Sequence, residues 1–236
     1  MRPYIIINGV NSGTVKGLLI SALPPISKPK ARVTLEEIDG RDGDIATVLG
    51  YAAYNKPISI GLYGDYDIDA VIKYFNSSGK VIFSNEADKY YNFAIYDAID
   101  FNKLIRYKTA TVNMHVQPFK YSAEEVEKSF NISGESNIIT VRNNGNIYAK
   151  PTITLTGSGA VDIYIGTAHL RINLTEANET IIIDVQAMNA YGINGNYLNR
   201  EVVGDYNSLR LDVGVNNITV NGSVTNVKIN NYSRWI

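Results

Sequence analysis

His115 and His169 are the only imidazoles in the chain, and cysteine is absent. A multi-histidine or cysteine zinc centre within one chain is thereby excluded, and so is a thiolate nucleophile. Both histidines fall in alternating segments, His115 on the parity of Thr111 and Asn113 and His169 on that of Arg171 and Asn173, so both read as solvent-facing strand residues. Carboxylates come next. Asp65, Asp67 and Asp69 copy the opening ligand positions of a calcium loop, but Ala70 stands where a glycine must turn the chain and Asn76 where a bidentate Glu belongs. They read instead as the cap of a helix. Asp39-Gly40-Arg41-Asp42-Gly43-Asp44 joins two apolar runs and reads as a hairpin tip, with a divalent ion as the alternative. Glu176 and Glu179 fall in a solvated turn, Thr175–Thr180. No phosphate-binding glycine loop and no nucleophile elbow occurs, Gly157-Ser158-Gly159 being read as a turn between strands. No residue is therefore assigned to catalysis, to a cofactor or to a metal, and the expectation is a protein that is not an enzyme.

The bulk properties point the same way. Lys and Arg number 22 against 23 Asp and Glu, a net charge of -1, which argues against a nucleic-acid or anionic-membrane footprint. A length of 236 residues with 45% hydrophobic and 19% charged residues suits one large or two small globular domains. The opening Met1-Arg2-Pro3-Tyr4-Ile5-Ile6-Ile7-Asn8-Gly9 has too short an apolar run for an export signal, and no window reaches the length of a membrane span. Tyrosine, at 17 against 1 tryptophan, is over-represented and falls mostly in the first half; strand packing, a subunit interface and a carbohydrate platform all remain open for it.

The elements that must hold these residues are strands. Alternation recurs in Ile58–Leu62, Lys108–Val116, Thr152–Thr156, Val161–Ile165 and Leu170–Leu174, bounded by turn material such as Asn8-Gly9, Asn143-Asn144-Gly145-Asn146 and Gly192-Ile193-Asn194-Gly195. One stretch has the helical period: Ile68, Val71, Ile72 and Phe75, capped by the preceding aspartates and stopped by Ser77-Ser78-Gly79. A second, short helix is expected from Ser122, where Ser122-Ala123-Glu124-Glu125 fits a capping box. Charge without alternation there, and a shift to Asn, Thr and Gly beyond it, place a boundary between domains 1–122 and 123–236. The fold class is mainly β, the first domain carrying one helix.

Particular residues carry a family resemblance. Val81-Ile82-Phe83-Ser84-Asn85-Glu86, Tyr90-Tyr91, Ala98-Ile99-Asp100-Phe101 and Gln117-Pro118-Phe119-Lys120 resemble the N-terminal domain of phage distal tail (Dit) proteins, baseplate hub components of long non-contractile tails. Leu23-Pro24-Pro25 and the Ile38–Gly43 turn support this, and Asn143–Pro151 and Leu209–Thr219 extend it into the second half. Phe83, Ser84, Asn85, Glu86, Tyr91, Pro118 and Phe119 are the structural signature, with no active site to carry over. The resemblance implies a β-sandwich or split-barrel-like first domain that closes a hexameric ring, and a galectin-like β-sandwich outside it. Implied partners are sister copies, the tail tube protein, the tail-tip protein and a receptor-binding protein. Viral DNA would pass the lumen without specific binding, and the protein would reside in the virion after assembly in the host cytoplasm. No cofactor and no membrane contact is implied. The alternative is a non-catalytic carbohydrate-binding β-sandwich module.

Overall fold

A computed structural model describes residues 2–134 and 136–236. The chain divides into two compact units, residues up to Ala123 together with Ile236, and Glu124–Trp235.

In the first unit the strands are β1 (Ile5–Ile7), β2 (Val10–Asn11), β3 (Leu18–Ala22), β4 (Ala31–Glu37), β5 (Asp44–Tyr51), β6 (Tyr54–Leu62), β7 (Ser78–Phe83), β8 (Lys89–Ala94) and β9 (Thr109–Ser122); the helices are α1 (Ile68–Phe75) and α2 (Phe101–Tyr107). One antiparallel sheet runs β2-β1-β7-β8-β9-β6-β3, while among the described residues β4 and β5 form a separate two-stranded sheet. Alternation sets the register: Ile58 faces Val112 and Ile60 faces Ala110, so their parity is buried with Met114 and Val116. Asn8 and Gly9 take the positive φ values of 48° and 85° that a two-residue hairpin between β1 and β2 demands. The expected helix forms as α1. Asp67 caps it by accepting from the Ala70 N–H at 3.0 Å, and Val71 and Phe75 are buried in the core, worth about 1.5–3 kcal/mol each.

The helix expected from Ser122 does not form. β9 runs on to Ser122, paired with Lys89, and the Ala123 N–H continues the ladder to the Asp88 carbonyl at 2.9 Å. Tertiary pairing overrides the local capping signal. A second helix exists elsewhere, α2, where Asp100 accepts from the Lys103 N–H at 2.8 Å and Leu104 is fully buried. Its apolar period spans a single turn, too short to be separated from a loop by pattern alone.

In the second unit the strands are β10 (Lys128–Asn131), β11 (Ser136–Asn143), β12 (Thr152–Ile165), β13 (Ala168–Asp184), β14 (Asn189–Gly192), β15 (Val202–Gly204) and β16 (Gly214–Asn230). They run β10-β16-β12-β13-β14, with β11 also on β16 and β15 also on β13. Both halves of β12 contribute to one core, through Ile153, Leu155, Val161 and Ile163.

Gly157-Ser158-Gly159 is not a turn between strands but a kink inside β12, where the register shifts. A Cβ on Gly157 would lie 2.4 Å from the Ser223 carbonyl oxygen, so glycine is there to admit β16. Opposite it, residues 175–178 bulge from β13: Gly157 pairs with Glu179 and Gly159 already with Leu174. The Thr175–Thr180 turn is thus a bulge, and Glu179 folds back to accept from the Thr175 N–H at 2.7 Å and the Glu176 N–H at 3.2 Å.

Glu125 has a related role. Its Oε1 accepts from the Tyr232 N–H at 2.8 Å and the Ser233 N–H at 3.3 Å, while burial, outweighing these bonds, holds its carboxyl above the ordinary carboxylate range. Glu125→Gln keeps the acceptor without the charge and should leave the second unit within about 0.5 kcal/mol of the parent. Glu125→Ala orphans two backbone donors and should cost about 1–3 kcal/mol. Urea denaturation of both variants measures the difference; equal losses would show that the acceptor is not what matters.

Candidate functional site

Glu86 ends a short 3-10 turn, Ser84–Glu86, between β7 and β8. Its Oε2 accepts from the Tyr91 hydroxyl at 2.7 Å and its Oε1 from the Lys120 ammonium at 2.9 Å. The two charged side chains are 9% and 7% exposed. A second cation, Lys56, is buried beside them: its Nζ donates to the Pro25 carbonyl at 2.9 Å and lies 4.9 Å from the centroid of the Tyr91 ring. Burial raises the Glu86 carboxyl, but hydrogen bonds from Lys120 and Tyr91 and the charges of Lys120 and Lys56 outweigh it and hold the group below its ordinary value. Burial also lowers the Lys56 ammonium, opposed by the charge of Glu86. Both Glu86 oxygens are engaged in a nearly closed environment, so this carboxylate is placed to hold structure together.

Of the residues expected as a structural signature, Phe83, Glu86 and Tyr91 meet in this cluster, and the others are engaged around it or elsewhere in the unit. Phe83 packs edge-on against Tyr91 with centroids 5.6 Å apart. The backbone N–H of Tyr4 donates to Ser84 Oγ at 3.0 Å, and the Ser84 N–H returns to the Tyr4 carbonyl at 3.0 Å. Asn85 Nδ2 donates to the Pro24 carbonyl at 3.0 Å. Pro118 sits where β9 bulges, between the Tyr91–Lys120 and Phe93–Val116 pairs, a position where proline costs no ladder hydrogen bond. Phe119 packs edge-on against Tyr51 at 5.5 Å. Lys56 was not singled out from sequence, yet a signal was there: it shares the parity of buried Ile58 and Ile60, so alternation alone puts a lysine indoors.

The cluster clamps the segment that leads into β4. Pro24 is held by Asn85, Pro25 by Lys56, and Ser27 by the Tyr54 hydroxyl at 3.4 Å; the Ala52 N–H closes the base on the Lys30 carbonyl at 2.8 Å. Beyond that base β4 and β5 form a ribbon of two strands. Val33 pairs with Val48, Leu35 with Ala46 and Glu37 with Asp44, so one face is apolar near the base and acidic near the tip. Val33 is 45% exposed, Leu35 57% and Val48 61%. The Asp39–Asp44 stretch is the ribbon's tip, with Gly40 and Gly43 at positive φ. A two-stranded ribbon is marginal by itself, and an apolar face in water calls for a partner.

Elsewhere the candidate groups are engaged locally. His115 Nδ1 lies 3.1 Å from Asn55 Oδ1. His169 Nε2 lies 2.7 Å from Asp162 Oδ1, its ring stacked on Tyr164 at 4.5 Å. Asp65 pairs with Lys16 at 2.5 Å and Asp67 caps α1, so that aspartate series performs capping and surface pairing. Among the described residues no three His, Asp or Glu side chains group in a way that could hold a metal ion, and no helix is long and apolar enough to cross a membrane.

No family model matches the chain, and no curated protein matches its sequence. Solved structures do share its fold. The Dit protein (gp 19.1) of phage SPP1, described as a paradigm of the hub adsorption apparatus in phages infecting Gram-positive hosts, matches with a TM-score of 0.67 at 16% identity over 100% of both chains. A chain of the phage P2 baseplate in its activated conformation with calcium gives a TM-score of 0.47 at 8% identity, over 100% of this chain and 98% of that one. A phage p2 baseplate chain with strontium gives 0.44 at 8% identity, over 97% of each. The first of these shows that the chain shares its mainly β fold with the SPP1 Dit protein over its whole length.

Proposed function

We infer that the chain is a structural component of a phage tail, a hub that closes a hexameric ring at the distal end of the tail. Residues 1–122 form the ring and residues 123–236 a galectin-like β-sandwich on its outside. The ring continues the tail tube protein on one side and meets the tail-tip protein on the other, the outer domain serving as an attachment point for a receptor-binding protein. Viral DNA passes the lumen without specific binding, in keeping with the near-neutral composition. The protein is thus non-enzymatic and resides in the virion.

One observation carries this reading: the β4–β5 ribbon, its base held by Lys56, Asn85 and Tyr54, keeps an apolar face in solvent. A monomeric protein has no use for such a face, whereas a head-to-tail interface that closes on itself buries it once per subunit. The full-length fold match supports the same conclusion. A free glycan-binding sandwich accounts for neither the ribbon nor the first unit that carries it. Negative-stain imaging and native mass spectrometry of the purified chain, alone and with its tail tube protein, provide the test. Closed rings of six subunits are expected, and monomers under both conditions would overturn the proposal.

A further inference from the structure

Exposed surfaces of the first unit include a second one that matches the ribbon. Helix α2 carries Lys103 and Arg106 a turn apart, both exposed, and it has no acidic residue; Lys108, just past its end, donates to the Tyr66 hydroxyl at 3.1 Å. Tyr107 is 59% exposed, with the Arg106 guanidinium 5.3 Å from its ring centroid. At the other end of the helix, Phe101 lines an apolar groove of about 190 Å³ together with Ile72, Ile95 and Ile99. The carboxylate in that groove, Asp97, accepts from Asn113 Nδ2 at 3.1 Å. The exposed side of α2 is therefore cationic, and an apolar hollow lies at the end of the helix that holds Phe101.

The ribbon face shows the complementary sequence. Val33, Val48 and Leu35 are followed by Glu37 and Asp44, with Glu36, Asp39 and Asp42 around the tip against the lone cation Arg41. We propose that the ribbon of one subunit docks against α2 of the next, its aliphatic side chains meeting the groove at the Phe101 end and its acidic tip pairing with Lys103 and Arg106. The occupant is a second copy of this chain. Donor and acceptor surfaces are different patches of one molecule, so the contact is heterologous and propagates until the ring closes. This rests on the ring reading above and assigns its contact residues.

Charge reversal in the full chain tests it. Glu37→Lys with Asp44→Lys on the ribbon, and separately Lys103→Glu with Arg106→Glu on the helix, alter only exposed side chains and should each leave monomers folded by circular dichroism. Each double variant should weaken ring assembly roughly 10- to 100-fold at low salt, and the quadruple variant should restore it to within about 10-fold of wild type. Assembly should also fall on raising salt to 1 M, where screening shortens to about 3 Å. Rings that survive either double variant, or a quadruple variant that stays monomeric while folded, would overturn the contact and leave the ring reading standing. A wild-type chain that never forms rings would overturn both.

Discussion

Glu86→Ala should lower the stability of the first unit by about 3–5 kcal/mol, the cost of stranding a buried charge by deleting its partner. The geometry sets the scale: Lys120 and the Tyr91 hydroxyl both lose their acceptor in a nearly closed site, and Lys56 loses the counter-charge beside it. At about 2–4 °C per kcal/mol the melting temperature should fall by roughly 6–20 °C. Hydrogen exchange should rise across β6 to β9 and through the Pro24–Ser27 clamp. Acid titration supplies an independent check. The Glu86 carboxyl is held below its ordinary 4.5, so its contribution is complete above that value and is lost as pH falls through the lowered one. Glu86→Gln should flatten that part of the pH–stability curve. A Glu86→Ala variant that melts within a degree of wild type would show the cluster to be dispensable.

Joint substitution of Leu35→Asp and Val48→Asp should abolish ring assembly while leaving the monomer's melting temperature nearly unchanged. Both residues are more than half exposed in the isolated chain, so the substitutions remove little burial and should cost the fold about 0.5 kcal/mol or less each. In the proposed ring their side chains would lose the rest of their contact with water, a gain of about 1–2 kcal/mol per residue for the half still exposed. Two carboxylates in their place reverse that gain and add a desolvation penalty at every interface of the ring. Native mass spectrometry across a concentration series measures the loss. Intact rings would place the subunit contact elsewhere, and a collapsed melting temperature would show that the ribbon face already packs within the monomer.

These expectations depend on features of unequal legibility. The parity of β6 and β9, the Asp67 cap of α1 and the Asn8-Gly9 turn were readable because each is decided within a few residues of chain. The contacts of the Glu86 cluster were not readable: Glu86 and Lys120 are 34 positions apart and Lys56 and Pro25 are 31 apart. The ribbon's hairpin character was legible in its aspartate- and glycine-rich tip. Its isolation was not, because alternation shows that a strand has an apolar face without showing whether another layer covers it.

By itself the sequence determined the class of structure: alternating strands, the sites of the tight turns, the first helix and a chain without clustered imidazoles or thiols. The tertiary structure alone decided which strand edges meet, and with them the fate of Ser122, whose capping signal lost to pairing with β8, and of Gly157, kept small by the approach of β16. The physical reason is range. Turn chemistry, capping and period act over a few residues, whereas strand pairing and the pairing of buried charges join residues far apart in sequence, and their free energy appears only once the whole layer has closed.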